Sequence, residues 1–153
     1  KLNLPPISQL GIVVRDMTKA VDYYSSCFGL GPFTVYESVP DKYWFNGEPS
    51  YMKIRQGKAM LGNIEIELIQ PLEGKSPFHD FLESQGEGLH HLAFNAPNFE
   101  EMYHLFLEAG FKPLMEAEVY VETYQGTVRA CHFDTRRIGG VIFEIVWKSW
   151  LTK

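Results

Sequence analysis

The chain has 153 residues, of which 45% are hydrophobic and 22% are charged, and its net charge is −5. This composition is typical of a folded globular protein, and the length predicts one domain over residues 1–153. The negative charge argues against a nucleic-acid partner. Because no apolar run reaches the roughly 18 residues that a membrane span needs, no membrane partner is expected.

The N-terminal segment and the cysteine content both favour a cytoplasmic location. The N-terminal segment lacks the apolar stretch of a signal peptide. Cys27 and Cys131 are too few for a disulfide framework. One figure stands out: 14% of the residues are aromatic. Aromatic rings fill cores and also line pockets, so composition alone leaves both uses open.

The first half of the chain has a β-α-β-β-β pattern. Residues 9–14 alternate between two faces, which predicts a strand. Asp16 is suited to cap a helix over residues 17–28, and Gly29 is suited to end it. Three further strands are predicted at residues 33–38, 50–56 and 63–69.

The second half repeats this order. A strand is predicted at residues 91–96, and Asn98 is suited to cap a helix over residues 99–109. Gln9 then corresponds to His91, and Asp16 to Asn98. Further strands are predicted at residues 115–123, 127–134 and 141–147.

The two halves predict an α+β fold of two tandem βαβββ modules, which form a curved mixed sheet around a cleft. The first module covers about residues 7–70 and the second about residues 88–148. A linker helix is predicted over about residues 76–86, because Ser76-Pro77 places a cap and a proline at its first turn.

Four polar residues occupy related places in the two modules. Glu67 and Glu144 interrupt the last, apolar strand of each module, while Gln9 and His91 begin the first strand of each. A single Glu on a strand is more commonly a solvent-facing residue. A pseudo-twofold arrangement of the modules would instead bring the four together. Two carboxylates, one imidazole and one amide oxygen suit one divalent metal ion: Zn²⁺, Co²⁺, Ni²⁺ or Mn²⁺.

A longer motif connects the modules. Residues 64–94 contain Glu-Leu-Ile-x-Pro-Leu, then Ser-Pro, then a helix and Gly-Glu-Gly-Leu-His-His-Leu-Ala-Phe. This stretch resembles the vicinal oxygen chelate (glyoxalase, bleomycin resistance and dioxygenase) superfamily, and methylmalonyl-CoA epimerases in particular. Residues 9–14 and 140–146 also match, so the resemblance covers nearly the whole chain. It implies a glyoxalase-like fold and four metal ligands, which are Gln9, Glu67, His91 and Glu144.

One position departs from the epimerase pattern. Epimerases usually have His where this chain has Gln9, and a Gln-Glu-His-Glu set is similar to that of zinc-type glyoxalase I. The segment Leu68–Leu72, which follows Glu67, is the epimerase-like version. An extradiol dioxygenase would need two histidines and one carboxylate on iron, and Gln9 breaks that set.

The resemblance implies a metal-dependent enzyme, an isomerase or epimerase that moves a proton at a carbon α to a carbonyl. A divalent metal would stabilise the charge that develops on oxygen, and a carboxylate would move the proton. Glu144 is the first candidate for that base. Glu48 is a candidate for a second acid or base by its location, although the flanking Gly47 and Pro49 are typical of a turn.

Substrate-binding residues are less clearly marked. Arg136 and Arg137 could bind a phosphate or carboxylate, although a solvated loop is the commoner environment for arginine. Trp44 lies in an aromatic-rich segment that could line the cleft, and a substrate there would carry a bulky apolar part. Packing in the core explains each ring equally well. The substrate class implied is an acyl-CoA or a thiol adduct.

Two other functions stay open. One is a lyase of the glyoxalase I (lactoylglutathione lyase) type, which acts on a hemithioacetal. The other is a metal-free protein that binds a small molecule between the modules, as resistance proteins of the superfamily do. Two carboxylates at repeat-related positions argue against the metal-free binder. A homodimer is expected from the resemblance.

Overall fold

In the computed structural model, which describes residues 1–151, ten strands form one curled mixed sheet. Their order across the sheet is β2-β5-β6-β1-β7-β10-β9-β8-β3-β4. The strands are β1 (Ile7–Val13), β2 (Thr34–Ser38), β3 (Lys42–Phe45), β4 (Glu48–Pro49), β5 (Met52–Leu61), β6 (Ile64–Gly74), β7 (Gly88–Asn95), β8 (Pro113–Val121), β9 (Gly126–Phe133) and β10 (Ile142–Lys148).

The three predicted helices are confirmed. The caps form as expected, because Asp16 accepts a hydrogen bond from the Lys19 backbone N–H and Asn98 accepts one from Glu101. Gly29 ends the first helix in the left-handed conformation, with φ of 66°. Within residues 1–151, no helix is long and apolar enough to cross a membrane. The helices are α1 (Met17–Phe28), α2 (Pro77–Ser84) and α3 (Phe99–Glu108), and 3₁₀ turns follow at Glu122–Tyr124 and Ser149–Leu151.

The register of the sheet has the symmetry that the repeat predicts. The central strands β1 and β7 are antiparallel, with Gln9 opposite Ala93 and Gly11 opposite His91. On the outer side of each, β6 runs parallel to β1 and β10 parallel to β7. Glu67 thereby lies beside Gly11, and Glu144 lies beside Ala93. A pseudo-twofold axis between β1 and β7 therefore exchanges the two halves.

The hairpin of β3 and β4 was not predicted from the sequence. Its Asn46-Gly47 turn has positive φ at both residues, 51° and 82°, as a two-residue hairpin requires. The strand β3 is short, and besides its hairpin partner β4 it pairs with β8 of the other half. Residues 39–41 link β2 to β3, so the two borders of the curled sheet are joined by a short segment and enclose an interior.

Packing separates the outside of the sheet from its interior. On the outside, α1 packs through Met17 against β6, and α3 packs through Phe106, whose ring stacks on Phe133 at 4.3 Å. One end of the interior is closed by Phe78 of α2. The apolar cluster around Phe78 contains Val13, Tyr43, Met52, Ile54, Ile69, Met115 and Ala117.

Candidate active site

The four residues of the predicted metal site face the interior at the centre of the sheet. All are buried, and His91 and Glu67 have 0% and 5% of their surface exposed. The His91 Nε2 atom is 3.2 Å from Glu144 Oε2 and 3.6 Å from Glu67 Oε2. Strands β1, β6, β7 and β10 each contribute one residue of the set, so both halves of the chain build the site.

A glycine makes room for the imidazole. Gly11 lies opposite His91 in the β1–β7 pair, and a Cβ atom added to Gly11 would overlap the His91 ring. The twofold-related position holds Ala93, which is also small and fully buried. The His91 ring can therefore occupy this space only because Gly11 has no side chain.

Each half of the site has a polar neighbour that orients the ligand of its own half. In the first half, the Gln9 Nε2 donates to Glu65 Oε1 at 2.6 Å, which leaves the Gln9 amide oxygen as the available ligand atom. Glu67 Oε1 accepts from Gln56 Nε2 at 2.5 Å, while Glu67 Oε2 faces His91. Outer contacts of this kind commonly orient metal ligands.

The second half follows the same scheme with histidines. His91 Nδ1 lies 3.1 Å from His90 Nδ1, and Glu144 Oε1 lies 3.7 Å from His132 Nδ1. His91 Nε2 and Glu144 Oε2 lie within ion-pair distance of each other but have no hydrogen-bond partner among residues 1–151. The same holds for three more buried atoms, which are His90 Nε2 and both ring nitrogens of His132. Buried polar atoms without partners are rare and point to a missing ion or ligand.

The electrostatics of the site favour a cation. Burial alone would lower the pKa of His91, but the Glu144 and Glu67 carboxylates raise it to about 9. Burial alone would raise the pKa of Glu67, but Lys58 and His91 lower it below its usual range. Without a metal, the His91 imidazolium is the positive charge between the two carboxylates. The nitrogen and oxygen donors present therefore fit a divalent metal ion.

A second group of possible ligands overlaps the first. Nitrogen atoms of His90, His91 and His132 lie within 4.8 Å of one another, all buried. These three imidazoles could also hold an ion. Their surroundings are more apolar, because the Phe78 ring packs against all three. His91 belongs to both groups.

A cavity of about 380 Å³ opens onto the site from the interior of the sheet. Its two sides differ in chemistry. On one side, β2, β5 and β6 contribute a group of polar side chains beside Met52, Ile54 and Met60, and on the other, β8, β9 and β10 contribute a group of aliphatic side chains beside His132, Glu144 and Lys148. We call these the polar wall (Tyr36, Gln56, Lys58 and Glu65) and the apolar wall (Val119, Val128, Ala130 and Val146).

Lys58 is the charged centre of the polar wall. Its Nζ lies 3.4 Å from Glu67 Oε1 and 3.5 Å from Glu65 Oε1. Burial alone would lower the pKa of Lys58, but Glu67, Tyr36 and Glu65 raise it above the usual value. Lys58 therefore stays an ammonium that is already paired with two carboxylates.

Sequence reasoning missed Gln56, Lys58 and Glu65 of the polar wall, and it missed His132. Period-two alternation could have indicated Glu65, which is two residues before Glu67 on the same face of β6. His132 lies directly across β9–β10 from Glu144, and Lys58 lies across β5–β6 from Glu67. Those contacts depend on cross-strand register, which no local pattern in the sequence reveals.

The other predicted site residues lie away from the cavity. Glu48 is exposed on β4, and Trp44 lies in a separate surface depression with Arg129. Arg136 is ion-paired with Asp134 at 2.8 Å, in the loop before β10. Arg137 is exposed in the same loop. None of the four belongs to the set of described residues that line the cavity, so their roles in catalysis or substrate binding stay predictions.

The chain is similar in sequence to proteins of one superfamily. The profile of the Glyoxalase/Bleomycin resistance protein/Dioxygenase superfamily matches residues 8–131. The uncharacterized protein YqjC of Bacillus subtilis (strain 168) is 34% identical over 88 residues, which are 58% of this chain and 55% of that protein. The chain thus spans about half the length of this curated relative.

Solved structures share the fold. A variant of Streptomyces coelicolor methylmalonyl-CoA epimerase, in complex with 2-nitronate-propionyl-CoA, has a TM-score of 0.70 at 20% identity, covering 96% of this chain and 99% of that one. The Mycobacterium tuberculosis methylmalonyl-CoA epimerase has a TM-score of 0.66 at 22% identity, covering 94% and 88%. These likenesses confirm the predicted glyoxalase-like α+β fold. With the sequence match over residues 8–131, they place the chain in the glyoxalase, bleomycin resistance protein and dioxygenase superfamily.

Proposed function

We propose that the protein is a metal-dependent isomerase that moves a proton at a carbon α to a carbonyl, in the manner of an acyl-CoA epimerase. The observation that supports this best is the arrangement of Gln9, Glu67, His91 and Glu144. Each has a neighbour on one side, and His91 Nε2, which makes no hydrogen bond, lies 3.2 Å from Glu144 Oε2 and 3.6 Å from Glu67 Oε2. We propose these four residues as the metal ligands.

A divalent metal held there would act as a Lewis acid and stabilise negative charge on the substrate carbonyl oxygen. Glu144 is the proposed base. Its Oε1 faces His132, for which burial and the neighbouring His91 lower the pKa well below the usual value. His132 therefore stays a neutral imidazole beside Glu144, whereas the Lys58 ammonium lies beside Glu67.

An epimerase also needs a group on the other side of the planar intermediate. Glu65 supports this role better than the exposed Glu48, because Glu65 lines the polar wall. Glu65 and Glu144 lie in one cross-strand row, with Gln9 and Ala93 between them. The two carboxylates therefore reach the cavity from opposite halves of the sheet.

The test is exchange of the α-hydrogen with solvent. Metal-loaded protein is incubated in D₂O with methylmalonyl-CoA and, separately, with 2-methylbutanoyl-CoA, and deuterium at C2 is followed by mass spectrometry. We expect exchange that stops when a chelator is added and in Glu144→Gln. Absence of exchange with both thioesters would overturn the proposal. Turnover of the methylglyoxal–glutathione hemithioacetal in the same preparation would then assign the lyase alternative.

A further inference from the structure

The apolar wall extends without interruption from the site toward the open end of the cavity. Val146 is two residues after Glu144 on the same face of β10, and it lies opposite Ala130 of β9. The next row toward the open end contains Val128, opposite Val119 of β8. The wall therefore begins beside the proposed base, presents four aliphatic side chains, and ends at Lys148 of β10, which lies opposite Val128.

Within the part of the chain that the structure describes, the lysine beside the site is already paired, and the other lysine of the cavity lies at the far edge of the apolar wall. The lysines that line the cavity there are Lys58 and Lys148. Lys58 is paired with Glu65 and Glu67. Lys148, the last residue of β10, is four residues after Glu144 and lies opposite Val128, so it stands at the far edge of the apolar wall. Between the proposed base and Lys148, a charged group on the acyl chain would leave water to lie against aliphatic side chains, which is costly, whereas an aliphatic group gains from the same burial.

We propose that the substrate's acyl group has an uncharged, aliphatic side chain, which lies against the apolar wall. This inference rests on the proposed function and specifies its substrate class. It separates this chain from an enzyme whose acyl group carries a carboxylate on the reacting carbon. The proposed substrate class does not depend on the aromatic segment that suggested a bulky substrate, because Tyr43 packs in the apolar core and Trp44 lies outside the cavity.

The experiment uses hydroxamates, which present two neighbouring oxygens to a metal ion. Binding of acetohydroxamate, hexanohydroxamate and adipic acid monohydroxamate to the metal-loaded protein is measured by calorimetry. The hexanoyl and adipoyl probes have the same chain length, and only the adipoyl probe ends in a carboxylate. We expect hexanohydroxamate to bind at least about tenfold more tightly than acetohydroxamate, because each buried methylene contributes about fourfold. The adipic probe should bind less tightly than hexanohydroxamate, because its terminal carboxylate would lie against aliphatic side chains.

Conservative variants locate the effect on the wall. Val146→Thr and Val128→Thr keep the side-chain shape but replace a methyl group by a hydroxyl. Each should weaken hexanohydroxamate binding about threefold or more and leave acetohydroxamate binding unchanged. Val35→Thr is the matched control, because Val35 is an exposed valine on the outer face of β2, where it lies near Gly57 and Met17. It should leave both affinities unchanged.

The outcomes separate this inference from the proposed function. If acetohydroxamate binds but the hexanoyl chain adds no affinity, or the adipic probe binds most tightly, the aliphatic substrate class is wrong and the metal site stands. If no hydroxamate binds to protein that has been supplied with metal, both proposals are overturned. Equal effects of the wall variants and Val35→Thr would also overturn the inference.

Discussion

The two halves of the molecule place a glutamate at equivalent positions but surround it differently. Across the β5–β6 pair, Glu67 faces the Lys58 ammonium, whereas across the β9–β10 pair, Glu144 faces the buried imidazole of His132. Lys58 and Gln56 hold Glu67 as an anion. Glu144 lacks an ammonium partner among the described residues, and its Oε2 has no hydrogen bond. One duplicated position thus gives a fixed ligand in one half and a carboxylate suited to proton transfer in the other.

The same asymmetry continues along the cavity. The strands of the first half contribute Gln56, Lys58 and Glu65, while the related strands of the second half contribute Ala130 and Val146. A symmetrical fold therefore produces an asymmetrical cavity, in which one side orients the metal ligands and the other is available to the substrate. Matched substitutions in the two halves test this difference.

The largest effect is expected from the two equivalent glutamates. Glu144→Gln should lower the rate of α-hydrogen exchange about 10³-fold even when the variant is saturated with metal, because general-base catalysis contributes on that order, and it should also bind metal less tightly, since Glu144 is a proposed ligand. Glu67→Gln should mainly weaken metal binding, since it removes an anionic ligand. Exchange rates and metal titrations of both variants check this. Similar behaviour of the two variants would contradict the assigned difference, and exposed Glu122→Gln is the control.

The two small residues beside the site should respond next most strongly. Gly11→Ala places a methyl group in the His91 ring, so the ring must move and metal affinity should fall about 100-fold. At the related position, Ala93→Gly removes only one buried methyl group and should lower the free energy of unfolding by about 1 kcal/mol. Calorimetric titration and thermal unfolding measure both. Metal affinity that is unchanged in Gly11→Ala would show that His91 is not a ligand.

A smaller gain is expected from Gln9→His. An imidazole is a stronger ligand than a neutral amide for Zn²⁺, Co²⁺ and Ni²⁺, so affinity for these metals should rise about tenfold. The substitution also removes the hydrogen bond that Gln9 donates to Glu65. Metal titration is the measurement. If affinity is unaltered, Gln9 does not contact the metal.

The smallest effect is expected at Lys58. Lys58→Met removes a positive charge that competes with a metal for Glu67, so metal affinity should rise about threefold. The rise is small because solvent in the cavity screens the Lys58 charge. Lys53→Met is the matched control on the same strand, because Lys53 pairs with Glu37 on the outer face at 2.7 Å. A weaker affinity in Lys58→Met would mean that Lys58 supports metal binding instead of opposing it.

Much of the fold could be predicted because it repeats. The alternation in β1 and β7 and the caps at Asp16 and Asn98 are local signals, and the 3.6-residue period marks α1 and α3. The positions of Gln9, Glu67, His91 and Glu144 followed from the repeat and from the family motif. Their convergence is what the pseudo-twofold register provides.

What could not be predicted depends on contacts between distant segments. The pairing of β3 with β8 joins the two halves, and it places Trp44 outside and Tyr43 inside. The contact between His132 and Glu144 likewise follows from strand register. Glu48 was predicted as a second acid or base by its location along the chain, and it lies exposed on the β3–β4 hairpin.

The central claim is that Gln9, Glu67, His91 and Glu144 hold one divalent ion. Its most direct test is titration of chelator-stripped protein with Mn²⁺, Co²⁺ and Zn²⁺, followed by metal analysis. We predict one equivalent per chain in the wild type, loss of binding in His91→Ala and Glu67→Gln, and retention in His90→Gln. No uptake of any of these ions would contradict the claim. Binding that is lost in His90→Gln and kept in Glu67→Gln would contradict it too, and would assign the ion to the three histidines.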